Sequence, residues 1–480
     1  MRREGIVVGV NRRWPLLLTL LGVVAGAALL VFGPIRTGAP DPTIVLRPAL
    51  AAKPSPPAGA PNVVLVIGCT LRQDQVGTYG GPPGLTPFLD RLAAGGTVFE
   101  DLIVAGPWTR VASAAIVTGQ HAVALGMVEP GPLRNDRALP ASAVTISESL
   151  RGAGWHTIGF TANPNLNAVF GFDQGFDAYK QLPSLWRDDG VKLSTDRALD
   201  GLLDLVDEAP TDRPVYLQAM LIDAHSPYVA TAAEGERWSQ PGEPAVVGEY
   251  RAGLRRLDRA IERLWTGLER RGWSRDNTLF LVLSDHGEGL SWPAHHGKGH
   301  GRFLSPSAVH GVWISWGAGI GVGHRVGGVA SQVDVLPTVL SLVGVPGLEG
   351  PGVDLADALA GRRDRSGRDA AFSDTWFLDA DRAAIYTDAV ACQRGFDGGG
   401  RGAFVDGCFD RAADPSHSHA APNPELEARL EAWRADQRPP ADRASDVPDP
   451  VTAPPGVAAQ LEALGYTDGR TGPSFEETAE

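Results

Sequence analysis

Two apolar runs in this chain end in polar clusters whose side chains are of the kinds that hold metal ions. Asn62–Gly68 (NVVLVIG) runs into Cys69-Thr70-Leu71-Arg72-Gln73-Asp74, and Thr278–Ser284 (TLFLVLS) runs into Asp285-His286-Gly287-Glu288. An Asp-His pair at a strand end offers a carboxylate oxygen and an imidazole nitrogen to one cation. Such a pair alone is equally well explained as a solvated turn. Here His295, His296 and His300 follow within fifteen residues, in a Gly-rich loop that also carries Lys298. That clustering favours a site, although a His-rich loop can also be plain surface.

Two further segments carry chemistry-bearing side chains. Pro107-Trp108-Thr109-Arg110-Val111-Ala112-Ser113 precedes a run of small residues that ends in Thr118-Gly119. A hydroxyl at a helix start is ordinarily an N-cap. With a metal in reach, the same hydroxyl becomes a nucleophile, because the cation stabilises its alkoxide. The helix N-terminus would also favour an anionic ester. Ile222-Asp223-Ala224-His225-Ser226-Pro227-Tyr228 again follows an apolar run. His225 there suits holding or protonating an anionic ester, or serves as a satisfied structural histidine.

The elements that must position these residues alternate. Asn62–Gly68 is a continuous apolar run, as expected of a strand covered on both faces. Residues 85–96 and 144–154 read as helices, and 156–161 and 215–222 as strands. Tyr250, Leu254, Leu257, Ile261, Leu264 and Leu268 recur at spacings of four and three, which predicts an amphipathic helix. Thr278–Ser284 is a further buried strand, and 333–343 a helix. This alternation predicts an α/β fold with a mostly parallel sheet sandwiched by helices. Ligands in such sheets lie beyond the carboxyl ends of the strands. From about residue 365 the texture changes to short mixed segments, read as a small antiparallel C-terminal subdomain closed by a helix near Pro424–Trp433.

The bulk properties bound the setting. The 480 residues are 43% hydrophobic and 21% charged, enough to bury a large core. A formal net charge of −13 argues against nucleic acid as a partner. Residues 14–32 (WPLLLTLLGVVAGAALLVF) are nineteen without a charge, close to the roughly 17–25 that span a bilayer. Arg2, Arg3, Arg12 and Arg13 precede them, which predicts a cytoplasmic N-terminus over 1–13 and a single-pass anchor over 14–32. A cleaved signal peptide is the competing reading. Residues 33–60 are rich in Pro and Ala and read as a stiff linker. The expected organisation is then a main domain over 61–364, a subdomain over 365–437 and a Pro-rich tail with a short helix over 438–480. The main domain would lie outside the cytoplasm. There, a Cys392–Cys408 disulfide becomes permissible and Cys69 is left over.

Taken in order, these segments resemble the sulfatase family. PNVVLVIGCTLRQDQVGTYG is similar to its PNVLLIxxDTLRADxLGxYG stretch, and LIDAHSPY to DPHxPY. NTLFLVLSDHGEGL is similar to NTLVVxTSDHGE. TPFLDRLAAGGTVFEDLIVAGPWTRVASAAIVTGQH resembles the stretch with the family's nucleophile segment. VDVLPTVLSLVGV, CFDRAADPSHSH and LEALGY fit the later part. The resemblance spans roughly 61–466. It implies a sulfatase-type α/β domain of the alkaline phosphatase superfamily and one divalent metal (Ca, Mg, Mn or Zn) holding an anionic ester. By position, Asp285, His286 and Cys69 match the metal site and Thr109 the nucleophile; His225 and Lys298 match groups contacting the substrate's anionic part.

Two departures stand out. Cys69 occupies the place of a metal-ligating Asp, and thiolate suits zinc better than the hard ions calcium and magnesium. The family's C/S-x-P-x-R segment reads Thr109-Arg110-Val111-Ala112-Ser113, without the residue oxidised to formylglycine and without its arginine. A sulfated threonine lacks the second hydroxyl through which a formylglycine hydrate expels sulfate. Relatives that resemble this chain and use threonine, such as phosphoethanolamine transferases and lipoteichoic acid synthases, handle phosphoryl groups instead. The expectation is therefore a membrane-anchored, metal-dependent hydrolase or transferase acting on sulfate or phosphate esters. The alternative is a sulfatase-fold pseudoenzyme serving as a binding module, as the lost acidic ligand and arginine would suggest.

Overall fold

The structure, a computed structural model, describes residues 43–48, 54–128, 137–186, 192–228, 230–290, 298–377, 380–396, 406–437, 448 and 450–466, with Lys298 described by its backbone alone. The apolar run at 14–32 and the histidines His295 and His296 lie outside the described residues. Among the described residues, no helix is long and apolar enough to cross a membrane.

The strands in chain order are β1 (Ile44–Leu46), β2 (Asn62–Gly68), β3 (Thr97–Ile103), β4 (His156–Thr161), β5 (Ala178–Gln181), β6 (Val215–Leu221), β7 (Thr278–Ser284), β8 (Gly289–Leu290), β9 (Lys298–Gly299), β10 (His310–Gly311), β11 (Trp313–Gly317), β12 (His324–Ser331), β13 (Ala371–Thr375), β14 (Arg382–Tyr386), β15 (Val390–Gly395) and β16 (Gly407–Asp410). The large sheet runs β1-β5-β4-β6-β2-β7-β11-β3-β10, with β12 also on β3. Its centre, β5-β4-β6-β2-β7, is parallel throughout, while β1 and β11 join it antiparallel. β6 and β7 are buried along their whole length, as unbroken apolar runs in a two-sided core require. The mostly parallel α/β architecture is thus present. Within the Pro/Ala-rich stretch, Ile44–Leu46 adds an edge strand on β5. A short apolar triplet between prolines suits an edge, where missing donors cost little.

Register decides what the sheet can build. Gly68 stands opposite both Leu221 and Ser284, and Thr161 opposite Met220. Four neighbouring strands therefore end nearly level, and the residues just beyond them converge at one edge. The predicted amphipathic helix spans Ala245–Glu269; Tyr250, Leu254, Leu257, Ile261, Leu264 and Leu268 are all fully buried. β13 to β16 form a separate antiparallel sheet, closed by a helix over Pro424–Asp436. A disulfide joins Cys392 and Cys408, which face each other across β15 and β16. Past it, a helix over Pro455–Ala463 packs on the turn at Pro164–Leu166.

Candidate active site

Cys69 follows β2 directly, and the chain turns there through Thr70, whose φ is +53°. A β-branched residue in the left-handed region is strained, at about 1–3 kcal/mol, and persists only where its surroundings over-determine it. Here they do. The Thr70 amide donates to Asp285 Oδ1 at 3.0 Å and its hydroxyl to the Cys69 carbonyl at 2.7 Å. The Tyr250 hydroxyl donates to the Thr70 carbonyl at 2.8 Å and accepts from the Arg72 amide at 2.9 Å. The long helix thus fixes the turn from below. The exit of β7 is held by Gln332, which donates to the carbonyls of Ser284 and Asp285 and accepts from the Ala105 amide.

Thr109 opens the helix Thr109–Thr118, every residue of which is buried. Its N-cap is Trp108, and no side-chain cap bond is formed there. Thr109 is therefore not the cap its position suggested. At Gly106, just upstream, a Cβ would meet Val111 Cγ2 at 2.5 Å and the Asp374 carbonyl at 2.8 Å, so only glycine fits. Ser113 lies one turn beyond Thr109, where the family's arginine would stand, and its buried Oγ has no hydrogen-bond partner among the described residues.

Donor atoms of Cys69, Asp285 and His286 lie within 4.8 Å of one another, and all three residues are buried. His286 Nδ1 is 2.8 Å from the Gly287 carbonyl. A carbonyl cannot donate, so Nδ1 carries the proton and Nε2 bears a lone pair. That lone pair faces Asp285 Oδ2 at 3.3 Å, and Oδ2 is buried without a hydrogen-bond partner among the described residues. Two electron-rich atoms facing each other in a buried site fit a cation between them. Burial pushes the Cys69 thiol well above its ordinary value, with the Asp285 charge adding to this, and pushes His286 down to about 4. The donor set of one sulfur, one nitrogen and one carboxylate fits zinc, and fits calcium or magnesium poorly.

Thr109 Oγ1 sits beside this group, 3.6 Å from Cys69 Sγ and 3.4 Å from His286 Nε2. Asn163 Nδ2 donates to Thr109 Oγ1 at 3.2 Å and to Cys69 Sγ at 3.4 Å. His225 places Nδ1 against the Ser226 carbonyl, so its Nε2 also bears a lone pair and accepts from the Tyr466 hydroxyl at 3.0 Å. Burial, helped by His300, holds His225 well below the ordinary imidazole range. In this state His225 accepts a proton and has none to give at Nε2. His300 lies against His286, ring centroids 4.4 Å apart and tilted by 37°, and bonds Glu288 Oε1 at 3.2 Å. Lys192 donates to the carbonyls of Ile222 at 3.1 Å and His225 at 2.5 Å; burial lowers it to about 8. Lys298 lies in β9 opposite Leu290, and its side chain is outside the description.

Thr109, Cys69, Asp285, His286 and His225 thus come together. Two contributors escaped the sequence reading. Asn163 lies just past the end of β4, so the strand-end rule that singled out the others would have found it. Tyr466 lies in the LEALGY segment, whose similarity was noted without a role.

The sulfatase family's sequence model matches residues 61–345, more than half of the chain, and the chain belongs to that family. It is 28% identical to arylsulfatase A of Homo sapiens over 366 residues, covering 63% of this chain and 68% of the relative. Among solved structures it is similar to BT4656, determined in complex with its substrate D-glucosamine-2-N,6-O-disulfate. There the TM-score is 0.66 at 18% identity, covering 81% of this chain and 99% of the other. It is also similar to the phosphonate monoester hydrolase of Agrobacterium radiobacter, with a TM-score of 0.61 at 18% identity, covering 78% of this chain and 94% of the other. At these identities the structures speak for the fold. Relatives of this fold support ester hydrolysis in general and generally bind a divalent metal.

Proposed function

We propose that this protein is a metal-dependent hydrolase or transferase of anionic esters, with Thr109 as nucleophile and phosphoryl groups preferred over sulfuryl. One observation carries the reading: three buried ligand atoms of different chemistry converge within 4.8 Å, with the Thr109 hydroxyl alongside two of them. Cys69, Asp285 and His286 would hold the cation, which when bound lowers the cost of a threonine alkoxide and neutralises charge on the ester.

The remaining steps belong to the chain. Asn163 holds the Thr109 oxygen by donating to it, so the hydroxyl proton is the one Thr109 gives up on attack. Thr109 attacks in line, forming an O–P bond as the ester's P–O bond breaks. Water or an acceptor alcohol then attacks the phosphorus, the bond from phosphorus to Thr109 Oγ1 breaks, and the acceptor's proton returns to the threonine oxygen. His225, neutral with a lone pair on Nε2, takes up the Thr109 hydroxyl proton there and then gives it to the leaving oxygen. Lys298 and His225 contact the anionic group. Threonine has no second hydroxyl through which a sulfate could be eliminated, and this favours phosphoryl transfer.

The chain is further proposed to be anchored by residues 14–32, with its main domain outside the cytoplasm. The charge-free run behind four arginines supports this, as does the Cys392–Cys408 disulfide, which belongs to oxidising compartments. The test is to measure bound metal in the full-length protein in detergent and to assay phosphodiester, phosphate-monoester and sulfate-ester chromogens against Thr109→Ala. Stoichiometric metal with Thr109-dependent turnover of a phosphate ester is expected. A folded, metal-free protein inert on all three esters would overturn the reading and leave a binding module.

A further inference from the structure

The nucleophile candidate is capped by a residue 357 positions away in sequence. Tyr466 Oη lies 2.9 Å from Thr109 Oγ1 and 3.0 Å from His225 Nε2. His225 Nε2 bears a lone pair, so the single phenolic proton goes to it, and the phenolic oxygen is left to accept from Thr109, whose other acceptor in reach is His286 Nε2 at 3.4 Å. The ring is bounded by His225 at 5.6 Å, His300 at 5.8 Å and Phe377 at 6.3 Å between centroids. Thr109, Cys69, Asp285 and His286 are all fully buried beneath it, and Tyr466 is itself 6% exposed.

How Tyr466 arrives there is written in its sequence. The helix Pro455–Ala463 ends with Gly465 at φ +81°. The Tyr466 amide donates to the Leu461 carbonyl and the Gly465 amide to the Glu462 carbonyl, both at 2.9 Å. This is the paired closure of a Schellman motif, which requires a left-handed residue and favours glycine there. Leu461 and Leu464 are buried in the main core, so the helix is docked and the turn at Gly465 aims the tyrosine inward. Upstream, the segment is held by a bridge between Pro450 and Arg137 and by Gln460 on the Pro183 carbonyl at 3.3 Å.

An ester attacked by Thr109 must bring its phosphorus or sulfur to roughly 3–3.5 Å from Oγ1. That space holds the Tyr466 hydroxyl. We infer that Tyr466 is an internal occupant of the ester position, and that the C-terminal segment 450–466 is a gate the substrate must displace. This inference rests on Thr109 being the point of attack, but its test needs no turnover.

The test uses Cys69, whose thiol is the one left free by the disulfide and lies 3.6 Å from Thr109 Oγ1. In full-length protein stripped of metal, the rate at which a small methanethiosulfonate labels Cys69 is followed by mass. Tyr466→Ala is expected to speed labelling about tenfold or more. Tyr466→Phe, which keeps the ring and loses the hydroxyl's hydrogen bonds, is expected to speed it a few-fold at a temperature well below its melting transition. In metal-loaded protein, inorganic phosphate measured by calorimetry is expected to bind Tyr466→Ala about tenfold more tightly than wild type. Labelling of both variants at the wild-type rate overturns the gate. Phosphate that binds wild type and Tyr466→Ala equally, or binds neither, overturns the occupancy. If Tyr466→Ala fails to fold, the same two measurements on Tyr466→Phe decide. Faster labelling and tighter phosphate in a chain inert on every ester would leave the inference standing and overturn the enzymatic reading instead.

Discussion

The sulfur of Cys69 and the hydroxyl oxygen of Thr109 lie 3.6 Å apart and share one donor, the side-chain amide of Asn163. A ligand-type atom and a nucleophile-type atom are thereby tied to one fixed group, so a change at either is felt at both.

For Thr109, the expected outcome of Thr109→Ala is a fall in kcat of at least about a thousandfold with the fold retained, since the attacking atom is removed. Thr109→Ser keeps a hydroxyl and should stay within about tenfold of wild type. Steady-state kinetics on a phosphate-ester chromogen checks both. Equal turnover by Thr109→Ala and wild type would exclude Thr109 as the nucleophile.

For Cys69, the wild-type protein should take up zinc in preference to calcium or magnesium, because a thiolate is a soft ligand. Cys69→Asp restores an oxygen donor and should shift the preference towards the hard ions, by about tenfold or more in relative affinity. Competition between zinc and magnesium followed by calorimetry reads this directly. A preference unmoved by Cys69→Asp would show that the sulfur is not a ligand.

Much of this site is legible in the sequence, and the reason is geometric. In a parallel sheet the polar residue that ends an apolar run must emerge at the ligand-binding edge, so Cys69, Asp285, His286 and His225 could be read from position alone. Thr109 was harder, because a hydroxyl that starts a helix is ordinarily a cap. Only the three-dimensional setting shows its oxygen turned away from the helix amides. Tyr466 was not legible, since nothing in LEALGY says which strand end its turn will face. The antiparallel subdomain was visible as a change of texture, whereas the edge strand Ile44–Leu46 was hidden among prolines.

A pH dependence follows from Asp374. Burial raises its pKa to about 7, against the pull of Arg434 and a bond from the Trp376 indole. His121, 3.9 Å away, is held neutral by burial at about 3 and forms no ion pair with it at neutral pH. A carboxyl whose folded pKa is raised keeps its proton in the folded state after the unfolded chain has lost it. Its contribution to stability is full below about pH 4 and is lost as pH rises through about 7. Asp374→Asn still accepts from Trp376 and should flatten the fall in melting temperature over that window. Thermal melts at steps between pH 4 and 8 check it; identical slopes for both proteins would contradict it.

The disulfide closes a loop of 16 residues, which by the chain-entropy relation corresponds to about 3 kcal/mol of stability. Replacing Cys392 and Cys408 together by serine should lower denaturant stability by about that amount, read from urea unfolding. The large sheet and the metal ligands lie outside that loop, so metal affinity should not change.

The level ending of β2, β6 and β7 has a thermodynamic consequence. Cys69 and Asp285 are more than two hundred residues apart, and only the shared register of their strands makes them neighbours. No short fragment of the chain carries the full donor set, so a cation held as proposed would bind the completed sheet far better than the unfolded chain. Its binding energy is then added to the folding energy, about 2.7 kcal/mol at a free cation concentration one hundred times Kd. On the proposed function, tolerance to heat, and not turnover alone, would then depend on the metal available where the protein resides.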